Sequence, residues 1–173
     1  MNGNLGVYFH IPFCRAKCAY CDFCSTSQWD DKKMDAYLEA LIRQLGDFFL
    51  PGGNYTVDTV YIGGGTPSVF GGKRLAKLLK ALNKRVSLTR TCEITVEVNP
   101  ESADKALFKQ LKSVGVNRIS MGVQTADDGH WNLRFLKKLS VESEEWSFGW
   151  KTSLSTLNSS HCKFSLRPVS ARP

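Results

Sequence analysis

Four of the chain's six cysteines fall in one short run, Cys14, Cys18, Cys21 and Cys24. The first three are spaced C-x3-C-x2-C. A cubane iron–sulfur cluster is commonly held by four thiolates, one on each iron. Three thiolates from a single loop grip three corners and leave one iron open. An open iron can chelate the amino and carboxylate groups of S-adenosylmethionine (SAM). The spacing therefore suits a [4Fe–4S] cluster that reacts with a ligand rather than one that only carries electrons.

Other uses of these thiols fit less well. A structural zinc site needs a second Cys or Cys/His pair to complete a tetrahedron, and Cys92 and the His161-Cys162 dipeptide stand isolated. A bacterial ferredoxin run, C-x2-C-x2-C-x3-C-P, matches at Cys18, Cys21 and Cys24 but then meets Gln28 and Trp29. Disulfides belong to small secreted domains, and nothing in the N-terminal segment resembles a secretory signal. Cys24 is given no ligand role, and Cys92 and Cys162 read as incidental thiols.

A second feature is Gly63-Gly64-Gly65-Thr66-Pro67. It is no phosphate-binding P-loop, because Gly72-Lys73 is followed by Arg74 and position 67 is Pro where the leading Gly should stand. Glycines here allow a polar ligand to approach the backbone closely, although a tight turn alone would also explain them.

These features must be held by regular elements. GVYFHI (Gly6–Ile11) reads as a strand that ends at Pro12. Asp31–Phe49 reads as an amphipathic helix, with Met34, Tyr37, Leu38, Leu41, Ile42 and Leu45 at three- and four-residue spacing. Val57–Ile62 is a second strand, and Lys73–Leu82 a helix with Leu75, Leu78, Leu79 and Leu82 on one face. Glu93–Val98 is a third strand. Ser102 is expected to cap a helix over Ala103–Ser113, with Gly115 just past its end. Asn117–Val123 is a fourth strand. Strands alternating with helices imply a parallel sheet. Its C-terminal rim would carry the cysteine loop, the glycine run, Glu97-Val98-Asn99-Pro100 and Gln124, and in α/β barrels that rim is where ligands sit.

The ordered set YFHIPFC-x3-C-x-YC-DF, GGGTP, EVNPE and GVNRISMGVQ resembles one radical-SAM group, the oxygen-independent coproporphyrinogen III oxidases and their heme-chaperone relatives. The resemblance covers about Leu5 to Asp128. It implies an α/β fold, a parallel-stranded partial barrel of the TIM type, with Cys14, Cys18 and Cys21 holding the cluster. It further implies that Tyr8, Tyr20, Gly64, Gly65, Thr66, Glu97 and Gln124 contact SAM. In that group a reduced cluster passes an electron to the sulfonium, giving methionine and a 5′-deoxyadenosyl radical. A flavodoxin or ferredoxin as electron donor, and a porphyrin or heme as further ligand, are implied in the same way. True oxidases typically carry a cysteine two residues past the third ligand. Here Phe23 stands there, and Asp22-Phe23-Cys24-Ser25 looks more like the heme-chaperone branch.

After about Asp128 the character changes. Residues 129–173 hold three of the four tryptophans and many serines, and no further β-α unit is legible. The expectation is a barrel core over 1–128, truncated after about four βα units. The remainder is an atypical tail that is a genuine extension, a frame-shifted stretch or a disordered one. The arginine and aspartate that the family supplies beyond Gln124 find no match. Four strands alone would leave an open edge of unpaired backbone groups, so poor solubility or dependence on another chain is expected.

The formal net charge is +7. From Gly129 onward there are seven basic and three acidic residues, so more than half of the excess lies in the tail. The body has no basic stripe interleaved with aromatics, and no nucleic-acid partner is expected. No apolar run approaches the roughly 18–20 residues of a membrane span, and the expected compartment is the cytoplasm.

Overall fold

The computed structural model describes residues 4–123 and the backbone of two later segments, 150–156 and 162–168. In chain order the elements are β1 (Leu5–Ile11), α1 (Asp31–Phe48), β2 (Thr56–Gly64), α2 (Pro67–Phe70), α3 (Gly72–Asn83), β3 (Ser87–Val98), a 3-10 turn (Pro100–Ser102), α4 (Lys105–Ser113) and β4 (Arg118–Val123), followed by β5 (Trp150–Thr156) and β6 (Cys162–Pro168). β1 to β4 lie side by side in sequence order and pair in parallel. The α/β reading with a parallel sheet therefore stands, and so do its four strands.

Local chemistry sets most boundaries. Asp30 caps α1 by accepting from Lys33 N, and Met34, Leu38 and Leu45 fall on its buried side. On α3 the buried residues include Leu75, Leu78, Leu79 and Leu82. Burying each such side chain contributes about 1.5–3 kcal/mol. These leucines join one core with Phe9, Ile11, Val60, Ile62, Val96 and Ile119 from the strands.

Two expectations need correction. Asp104, not Ser102, caps α4, accepting from Leu107 N, and the helix starts at Lys105. Ser102 closes the preceding 3-10 turn, and its hydroxyl hydrogen-bonds Ser68 Oγ at 2.5 Å. A serine cap was plausible locally, but a partner from α2 claimed the hydroxyl. The bare edge expected at β4 is also covered. β6 pairs antiparallel with β4, and β5 pairs antiparallel with β6. The apolar-periodic stretch expected through Leu133, Leu136 and Leu139 lies outside the described residues.

Candidate functional site

Strand register sorts side chains onto two faces of the parallel sheet. Tyr8 pairs with Tyr61, Tyr61 with Thr95 and Thr95 with Arg118; Glu97 pairs with Ser120. Paired residues share a face, and side chains alternate along each strand. One face therefore carries Tyr8, His10, Tyr61, Thr95, Glu97, Arg118 and Ser120. The opposite face carries the apolar core residues.

The cysteine loop leaves β1 at the rim. Its neck is closed by Cys14 N donating to Thr26 O (2.9 Å) and Thr26 N donating to Pro12 O (2.7 Å). The Trp29 indole donates to Cys14 O at 2.6 Å, and Cys21 N donates to Cys18 O at 3.1 Å. Lys17 Nζ holds the far limb through Phe23 O (2.8 Å) and Ser25 Oγ (3.3 Å). Backbone contacts thus fix the thiol-bearing residues, while Cys14, Cys18 and Cys21 remain unpaired in any disulfide.

The glycine run passes directly beneath this loop. Gly65 N donates to Ile11 O and Thr66 N to Phe13 O, both at 2.8 Å. A Cβ on Gly65 would lie 2.9 Å from Cys14 Sγ and 2.9 Å from Phe13 O. The Thr66 hydroxyl points to Cys14 Sγ at 3.6 Å. Gly64 has φ +117°, a conformation open to glycine. The run therefore does more than turn the chain, because no larger residue at 65 could sit against the first thiol.

Beyond the glycines lies Glu97. Tyr61 donates to its Oε1 at 2.6 Å, and Gly64 N to its Oε2 at 3.3 Å. Burial, reinforced by this hydrogen bond to Glu97, pushes the Tyr61 hydroxyl far above its ordinary range. The Tyr20 hydroxyl is raised by its hydrogen bond to Cys18. Tyr8 is raised mainly by burial and secondarily by the Glu97 charge.

One cavity of about 960 Å³ collects these groups, within the range of about 300–1,000 Å³ usual for small-molecule sites. Cys14, Cys18, Cys21, Tyr20, Gly64, Gly65, Thr66 and Glu97 all line it. Tyr8 does not. Its ring stacks on Tyr61 at 6.1 Å and its hydroxyl meets His10 Nδ1 at 3.2 Å. Gln124 lies outside the described residues. The Cys24 thiol is not part of the lining, and its carbonyl accepts from His10 Nε2 at 2.7 Å.

The donor set fits a cubane. Four ligands on one zinc at about 2.3 Å would bring sulfurs within roughly 4 Å of one another. Among the described residues no three His, Cys, Asp or Glu side chains converge on one ion. The three thiols of one loop instead line one cavity together with the glycine edge.

Sequence reasoning missed Tyr61, Ser120, Trp29 and His10. Tyr61 had a signal, since it stands between Val60 and Ile62 and so faces away from their apolar side. Ser120 had the same signal, between Ile119 and Met121, whereas Trp29 had none, because its partner Cys14 lies 15 residues away.

The chain spans about a third of the length of the curated relatives it matches. Heme chaperone HemW of Lactococcus lactis is 42% identical over 133 residues, covering 77% of this chain and 32% of that protein. Heme chaperone HemW of Escherichia coli is 39% identical, over 70% of this chain and 32% of its own length. The solved structure of coproporphyrinogen III oxidase (HemN) from Escherichia coli, described as a radical SAM enzyme, superposes with a TM-score of 0.72 at 28% identity, covering 83% of this chain and 35% of that one. The family model of the radical SAM superfamily matches residues 8–146. With that span matched and the thiols, glycines and Glu97 gathered on one rim, the chain belongs to the radical SAM superfamily.

Proposed function

We propose that this chain forms the cluster- and SAM-binding part of a heme-chaperone-type radical SAM protein. Cys14, Cys18 and Cys21 would hold a [4Fe–4S] cluster, and Tyr20, Gly64, Gly65, Thr66 and Glu97 would bind SAM, with Tyr8 and Gln124 completing the set. The observation that carries this is the shared cavity: three thiols, a side-chain-free glycine edge and an oriented carboxylate line one space. Held by Cys14, Cys18 and Cys21, such a cluster would supply the electron for reductive cleavage of bound SAM.

The chain's own residues shape that chemistry. The Thr66 hydroxyl aimed at Cys14 Sγ places a donor beside a ligating sulfur, and donors to such sulfurs tune a cluster's potential. Glu97, held on each oxygen by a donor, can accept from a ribose hydroxyl or an ammonium group. Gly64 and Gly65 let the methionyl moiety reach the strand ends. Arg15 and Phe23 also line the cavity, and they would close its outer side.

Assignment to the chaperone branch rests on the HemW relatives and on Phe23 where oxidases carry a cysteine. Heme would then be cargo, and a flavodoxin- or ferredoxin-type protein the electron donor. The decisive test is anaerobic reconstitution with iron counting and SAM-dependent electron paramagnetic resonance. Wild type should hold about four irons per chain and change its signal on SAM addition, whereas Cys18→Ala should lose the cluster. Equal iron in the mutant would overturn the ligand assignment. Heme retention without loss of coproporphyrinogen would support the chaperone branch, and porphyrinogen oxidation would favour the oxidase.

A further inference from the structure

Glu97 is oriented by two residues of β2, and one of them has no role in the site so far. Tyr61 on β2 donates to Glu97 Oε1 at 2.6 Å, within the short range of charge-assisted O–H···O⁻ bonds. Gly64 N occupies the other carboxylate oxygen at 3.3 Å. Tyr61 thus reaches across from β2 to β3 on the polar face, and Glu97 and Ser120 both line the cavity. The opposite side of the Tyr61 ring carries Tyr8, with an interplanar angle of 23°.

Gly63 explains how this arrangement closes. A Cβ there would lie 2.7 Å from Tyr61 Cε1 and 3.1 Å from Glu97 Oε2. The first glycine of the run is therefore required by the Tyr61–Glu97 pair, whereas Gly65 is required by Cys14.

We propose that Tyr61 is a positioning residue for SAM binding, acting through the Glu97 carboxylate. It rests on the reading of this cavity as the SAM site. Were Tyr61 merely packing, its hydroxyl would be dispensable, because the ring alone fills the space between Gly63 and Tyr8. Instead the hydroxyl holds one carboxylate oxygen while Gly64 N holds the other, so that together they select one orientation of the carboxylate.

The test uses the reconstituted full chain. Tyr61→Phe keeps the ring beneath Tyr8 and removes the donor. Iron content and the SAM-free resonance signal should match wild type, because no thiol is touched. SAM affinity, read from the SAM-dependent signal change, should fall about tenfold or more, as expected for a lost hydrogen bond to a charged group. In a Glu97→Gln background the acceptor is neutral and the bond weaker, so the same change should cost about threefold or less. Gly63→Ala should weaken SAM binding in the same direction with iron retained. Tyr61→Phe binding SAM within about twofold of wild type, or an equal loss in both backgrounds, would overturn the proposal, since independent effects add. A wild-type chain that holds its cluster but ignores SAM overturns the underlying reading as well, so the two failures are distinguishable.

Discussion

The two faces of the parallel sheet are built from the same strands and have opposite characters. One face presents Phe9, Ile11, Val60, Ile62, Ile94, Val96, Ile119 and Met121, all buried in the core. The other presents Tyr8, His10, Tyr61, Thr95, Glu97, Arg118 and Ser120. A parallel sheet covered on both faces reads as a near-continuous apolar run, and a filled barrel interior is packed with branched side chains. Here the strands alternate instead. The helix side holds the apolar core, and the other side carries polar groups that bond one another. Arg118 pairs with Glu93 at 3.2 Å, and Tyr61 with Glu97.

The contrast can be broken most strongly from the helix side. Phe70 is fully buried, stacked on Phe13 at 5.6 Å and edge-on to Tyr37. Phe70→Ala should cost about 3–5 kcal/mol, read by denaturant unfolding. A cost under about 1 kcal/mol would show that the apolar face does not dominate stability.

Gly65→Ala should sharpen the division of labour. The added methyl must displace Cys14 Sγ or the Phe13 carbonyl. Stability should fall by about 1–3 kcal/mol, and iron retained after reconstitution should fall with it. Full iron content in this variant would mean that the first thiol can move without penalty.

The smallest effect lies outside both faces. Arg74 on α3 binds Asp35 at 2.6 Å and Asp31 at 2.9 Å on α1. The hydrogen bond from Arg74 holds the Asp35 carboxyl below its ordinary 3.8. Because the folded value is depressed, the stabilisation is present above 3.8 and is lost as pH falls below it. Both carboxylates are exposed, and exposed pairs contribute little. Arg74→Ala should slightly lower the neutral plateau of melting temperature against pH, and the two curves should converge as pH falls below 3.8. A neutral plateau identical to wild type would mean that solvent screens the contact fully.

Much of the design was legible locally. The thiol spacing is confined to one loop, so its chemistry needs no distant partner to be read. The leucine spacing of α3 and the alternation in β3 follow from periods of 3.6 and 2. Boundaries were less secure. β3 begins at Ser87 rather than Glu93 because β2 offers it a parallel partner from Thr56 onward. Ser102 looked like a cap because its alternative partner, Ser68, is 34 residues away.

The sequence by itself determined that three thiols share one loop and that a glycine edge and a carboxylate would reach the same rim. It did so because strand, loop and spacing are properties of neighbouring residues. Only the tertiary structure decided that Gly65 abuts Cys14, that Tyr61 orients Glu97, and that Trp29 anchors the cysteine loop. Those facts depend on register between strands and on side chains meeting across long stretches of chain, and no local pattern encodes either.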